Sequence, residues 1–233
     1  MTESFLSPLW ISFKTVLTTT VITFFLGIAA ARWMARYSGR WKSIIDGIFI
    51  LPLVLPPTVV GFGLLLLFGK NGPLGQFLAF FDTTVVFSWP ATVIAATVMA
   101  FPLMYMTSRG AFEQVDPNIE DAAKTLGASG WKVFWTVTLP LAWPGVAAAT
   151  ILALARSLGE FGATLMLAGN IPGKTATIPV AIYFSIQAGD MNQALILVGI
   201  VLVIAFGALA AIAYWKGKTY KARKPVTSRE NVD

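Results

Sequence analysis

Five apolar runs of about twenty residues each leave this chain one kind of solvent, a lipid bilayer. They cover 9–31, 45–68, 86–106, 144–168 and 194–215. Hydrocarbon offers no partner to a backbone N–H or C=O, so a run of that length must be helical. The expected fold class is all-α: a polytopic membrane protein with five transmembrane helices and a single domain over residues 1–233. Charged residues make up only 12% of the chain, against about a quarter in soluble domains. Cysteine and histidine are absent, which excludes a disulfide framework, thiolate metal sites and the commonest general base.

Basic residues set the topology. Arg32, Arg36, Arg40 and Lys42 separate the first two runs, and Arg109, Lys124 and Lys132 follow the third. Lys216, Lys218, Lys221, Arg223, Lys224 and Arg229 fill a basic tail, 216–233. The other side offers Lys70 and Lys174, with Lys14 in the opening of the first run. The positive-inside rule then places the N-terminus outside and the tail in the cytoplasm, in a multi-pass protein of the cytoplasmic (inner) membrane. The net charge of +6 is thereby a topology signal and a contact for membrane lipid, with no nucleic-acid partner implied. The first run lacks a basic leader and is followed by Arg32 and Arg36, so it reads as a retained span. The short apolar stretch 177–187 suits a surface or re-entrant helix; as a sixth span it would carry the basic tail outside.

The second run contains Pro52, Pro56 and Pro57, each removing a helical N–H and crowding the turn before it. Two readings stand: a structural kink, and a gate beside a water-lined path. Asn71-Gly72-Pro73 is turn chemistry, and Leu74, Phe77, Leu78 and Phe81 recur at helical spacing, which predicts a short surface helix. The fourth run carries Arg156 and Glu160, with Arg156 roughly 18 Å in from Pro144 at 1.5 Å per residue. A charge at that depth needs a partner, and the i,i+4 spacing supplies one. The pair, with Ser157 and Thr164 nearby, is either a self-neutralising strut or part of a polar pathway. Gly159, Gly162 and Ala163 permit close helix approach.

Between the third and fourth runs lies a polar insert, 107–143. Asp116 can cap a helix that starts with Pro117. Gly127 can take the positive φ that ends it. A second short amphipathic helix is expected over 131–138, running into Leu139-Pro140.

An acidic residue, Ala122-Ala123, three residues, Gly127, nine residues, then Val137-Thr138-Leu139-Pro140 resembles the EAA loop of ABC-importer permeases. Ser157 to Thr164, S-L-G-E-F-G-A-T, is similar to the signature of molybdate and sulfate permeases. Leu51 to Gly75 and Gly169-Asn170-Ile171-Pro172-Gly173 resemble the molybdate branch, so the chain looks like a molybdate ABC transporter permease. The resemblance implies a type I ABC importer permease fold, assembled as a homodimer with a pore on its axis. It further implies an ATPase dimer docked on the cytoplasmic side at Glu120, Asp121, Ala122, Ala123, Gly127, Leu139 and Pro140. A periplasmic or lipoprotein oxyanion-binding protein would sit outside. ATP and Mg would belong to the ATPase, with no cofactor held by this chain. Asp121 occupies the slot where the motif usually has Glu, with Glu120 beside it. Sulfate/thiosulfate or tungstate permeases remain alternatives, and more remotely a membrane enzyme acting through Arg156 and Glu160, or a stand-alone anion carrier.

Gly169 to Thr175 imitates a phosphate loop, but three residues separate its glycines where that loop has four. It follows a membrane helix instead of a strand and reads as a turn. No acid–base or metal constellation is present, so the chain is read as a transport subunit and not an enzyme.

Overall fold

The computed structural model describes residues 2–222, with side-chain surroundings for 6–207, and those residues contain helices and no strand. The elements are α1 (Thr2–Arg36), α2 (Lys42–Val54), α3 (Pro57–Phe68), α4 (Pro73–Ala79), α5 (Trp89–Glu113) and α6 (Pro117–Thr125). Then come α7 (Gly130–Val133), a π turn (Phe134–Thr138), α8 (Leu139–Leu158), α9 (Gly162–Ala168), α10 (Ile178–Gln187) and α11 (Met191–Ala222). Among the described residues three helices are long and apolar enough to cross a membrane: Leu6–Arg36, Trp89–Glu113 and Gly130–Leu158. The bent pair α2–α3 makes a fourth if counted as one span, and α11 is apolar over Met191–Gly207, the part of it whose side chains are described.

Helix α5 is the hub. Small residues let α1 and α8 close on it from two sides, and the core gathers Ile28, Ala31 and Met34 with Met104, Tyr105 and Phe112, and with Val146, Ala149 and Ala153. A second cluster packs Leu64 of α3 and Leu167 of α9 against Ala91, Ala95 and Met99. Trp10, Phe13, Leu17 and Phe25 of α1 stay exposed, as expected of a face solvated by lipid.

The second apolar run is not one straight helix but two helices meeting at 113°. A residue before proline is pushed out of the helical region, and both Leu55 (ψ 146°) and Pro56 (ψ 136°) are extended for that reason. The fourth run also departs from expectation. Its helix begins at Gly130 and stops at Leu158, so Arg156 lies in the last turn instead of deep within a helix. Residues 131–138 are helical as expected, but they run on into α8 instead of forming a helix of their own. A π turn widens the backbone directly ahead of Pro140, relieving the clash of its ring with the carbonyl four residues back, and the helix continues. Helices α4 and α10 match the two short helices read from the sequence. The side chains of the basic tail, 216–233, lie outside the described residues.

Candidate functional site

The insert folds as its local chemistry dictates. Asp116 accepts a hydrogen bond from the Asn118 amide, Pro117 opens α6, and Gly127 ends it at φ +84°. A Cβ on Gly127 would meet nothing within 4 Å, so only the backbone conformation demands glycine there. Ser129 then caps α7 through the Lys132 amide at 3.3 Å.

Helix α6 has no buried residue. Asp121 and Ala122 face out, Ala123 is half-buried, and Leu126 is 89% exposed, more than any other large apolar side chain described. Sequence reasoning passed over Leu126, although an apolar residue at a helix end with no core to enter was its signal. Glu120 turns the other way, toward Arg36 of α1 and Thr138 of the π turn. Leu139 is buried with Ala142 and Val146, away from the exposed face, whereas Pro140 is exposed.

At the opposite end of α8, Glu160 is 3% exposed and forms an ion pair with Arg156 at 2.7 Å. Its other oxygen accepts from the Ala163 amide at 2.8 Å, so one carboxylate both neutralises α8 and starts α9. Ser157, Glu160 and Thr164 line a small cavity of about 10 Å³ with Ser12, Thr15 and Thr177, room for roughly one water. Gly162 and Ala163 bring α9 close to Pro57 and Gly61 of α3, but Gly159 makes no approach to another helix. The breaks in the two apolar runs therefore lie side by side. Pro52 stays inside α2, and Pro56 is the last extended residue before α3.

Two polar features carried weaker sequence signals. Ser12, Thr15, Thr19 and Thr23 form a buried hydroxyl stripe on α1, at the three- and four-residue spacing of one helix face. Thr15 meets Thr92 at 3.0 Å. Near the α6 end, Asp46 accepts from Tyr105 at 2.6 Å and pairs with Arg109 at 2.5 Å, and Arg109 also pairs with Glu113 at 2.8 Å. This network ties the broken span to the hub.

The turn after α9 does not present a phosphate cradle. The amides of Lys174, Thr175 and Ala176 all donate to the Ile171 carbonyl, while Gly169 and Gly173 take positive φ. Among the described residues no group of three His, Cys, Asp or Glu could hold a metal.

Residues 23–215 match the family described as binding-protein-dependent transport system inner membrane component. The chain is 51% identical over 162 residues to the molybdenum transport system permease protein ModB of Escherichia coli (strain K12), covering 69% of this chain and 71% of that one. It is 37% identical to ModB of Azotobacter vinelandii over 223 residues, 95% of this chain and 98% of the relative. A bacterial alginate ABC transporter solved with its pentasaccharide-bound periplasmic protein shares the fold, with a TM-score of 0.75 at 18% identity over 95% of this chain and 80% of that one. With its apolar helices, its helical elbow and nearly its whole length matched, the chain belongs to the binding-protein-dependent transport system inner membrane components, a family of transport permeases.

Proposed function

We propose that this chain is the membrane-spanning subunit of an ATP-driven importer of molybdate. The relatives named for molybdenum transport support the substrate. The observation that carries the coupling role is the exposed outer face of the elbow between α6 and α7. Its outer face, Asp121, Ala122, Leu126 and Gly127, is polar at one edge and apolar at the other, with no core beneath it. A surface of that kind needs a partner. In this reading the partner is a separate ATPase dimer that binds ATP and Mg, docked on the cytoplasmic loop 107–143. An oxyanion-binding protein delivers the anion on the far side.

Two copies of the chain form the pathway. Pro56 and Pro57 have no N–H, so the carbonyls of Pro52 and Leu53 lack the helical donors they would otherwise have. Lipid cannot satisfy them, which favours a break facing protein or a water-lined path. A two-fold homodimer with α2–α3 toward its axis meets that need. The proposed topology has five spans, with α2–α3 and α11 completing the count, the N-terminus outside and the basic tail, 216–233, inside. ATP-driven closure of the ATPases would draw the two elbows together and turn the bundle outward; hydrolysis would return it, an alternating-access cycle.

ATP-dependent uptake into vesicles holding the permease, its ATPase and the binding protein tests the proposal. Molybdate uptake is expected to exceed sulfate uptake. Preference for sulfate would move the chain to that neighbouring specificity, and uptake without ATPase would make it a carrier.

A further inference from the structure

We infer that Glu120 is a positioning residue that fastens the coupling helix to the membrane bundle, through Arg36 of α1 and Thr138 of the π turn. This rests on the reading of the α6 face as the ATPase contact. Glu120 and Asp121 are adjacent acids in opposite surroundings: their side chains are 14% and 68% exposed. One oxygen of Glu120 pairs with the Arg36 guanidinium, and the other accepts from the Thr138 hydroxyl. Among the described residues Asp121 pairs with Lys124 alone, one turn along the same helix, at 2.7 Å. The two acids divide the work: Asp121 is presented outward, and Glu120 is spent inside.

The inward acid matters because α6 has no other firm hold. No residue of the helix is buried, and Ile119 and Leu126 remain exposed, so apolar packing does not fix its orientation. A carboxylate bound at both oxygens does, since it constrains rotation as well as distance. Arg32, one turn earlier on α1, extends the same grip. Its guanidinium lies 4.1 Å over the Phe134 ring and donates to the Gly130 carbonyl at 3.4 Å. The last turns of α1 thereby hold α6, α7 and the π turn as one body. A push on the elbow reaches α1 and the foot of the Gly130–Leu158 helix together.

The test uses the permease with its ATPase and binding protein in vesicles. ATPase affinity, ATP hydrolysis and molybdate uptake are measured for E120Q, T138V, R36E, the exchanged pair R36E/E120R, and D121N. E120Q, isosteric with the native side chain, is expected to keep ATPase affinity within about threefold while uptake per ATP falls about tenfold, the size of a typical coupling between sites. T138V is expected to lower the same ratio less. R36E alone should match or exceed the loss of E120Q, and the exchanged pair should recover to within about threefold of the native ratio. A ratio unchanged by E120Q would overturn the inference, because damage to folding alone lowers uptake and hydrolysis together. So would E120Q weakening ATPase affinity as much as D121N, which would turn Glu120 toward the partner. If R36E does not insert, recovery of inserted protein by the exchanged pair supports the link, and its failure overturns it. Native ATPase affinity in D121N and in Gly127→Val would instead remove the docking face itself, a separate outcome.

Discussion

A Cβ added to Gly162 would lie 2.9 Å from the Cβ of Pro57, so the first residue of α9 rests directly on the first residue of α3. Two interrupted apolar runs, far apart in the chain, thus place their breaks in contact. Gly162→Ala is expected to force the helices apart and destabilise the fold by about 1–3 kcal/mol, as overpacking does. Gly159→Ala is the control, because a Cβ there meets only a carbonyl of its own helix at 3.9 Å. Thermal melts of the detergent-solubilised protein separate the two, and equal melting temperatures would contradict this packing.

Replacing both Pro56 and Pro57 by alanine should change transport more than assembly. The substitution restores two N–H donors and relaxes the residues before them toward helix, straightening a 113° bend. Size-exclusion behaviour is expected to stay native while the uptake rate changes severalfold; native uptake would leave the break a structural kink only.

Gly127→Val is expected to uncouple the importer without unfolding it. No neighbour obstructs the new side chain, so the penalty is the left-handed backbone at φ +84°, about 1–2 kcal/mol for an ordinary residue and more for a β-branched one. A bulky residue at Ala122 should interfere differently, by overfilling the docking contact. Both variants should reach the membrane and bind the ATPase weakly or fail to import. Full uptake in Gly127→Val is the result that removes the coupling assignment.

The Arg156–Glu160 pair gives a third contrast. Glu160 is buried, so Arg156→Met strands a carboxylate and should cost about 3 kcal/mol. Arg156→Met with Glu160→Gln removes both charges and keeps an acceptor for the Ala163 amide, so it should recover most of that loss. A double variant as unstable as Arg156→Met alone would show that the stranded carboxylate is not the source of the loss.

Orientation is tested by labelling. A tag at Thr2 should react from outside and one at Asp233 only from inside; reaction of both from one face would overturn the five-span topology.

Much of the site was legible because it is local. Asp116, Pro117 and Gly127 bracket one helix through bonds and dihedrals that reach no further than a turn, and the i,i+4 spacing alone anticipated the Arg156–Glu160 pair. What sequence periodicity missed depends on competition between partners. The fourth apolar run extends past Leu158 to residue 168, yet its first helix stops there, where the Glu160 carboxylate accepts from the Ala163 amide and starts a second. Pro140 reads as a helix boundary, and only the π turn before it lets the helix pass. The Asp46–Arg109 pair and the inward turn of Glu120 join separate helices, so no local pattern announces them.

The continuous helix from Gly130 to Leu158 has a mechanical consequence. At 1.5 Å per residue its 29 residues span roughly 43 Å, so a tilt of about 10° around its middle would swing each end by nearly 4 Å, in opposite directions. One end carries the elbow and the other the paired breaks. In the proposed transport cycle the helix would serve as a lever with its fulcrum against α5: load at one end would open or shut the far end, with no chain of side-chain rearrangements needed between them.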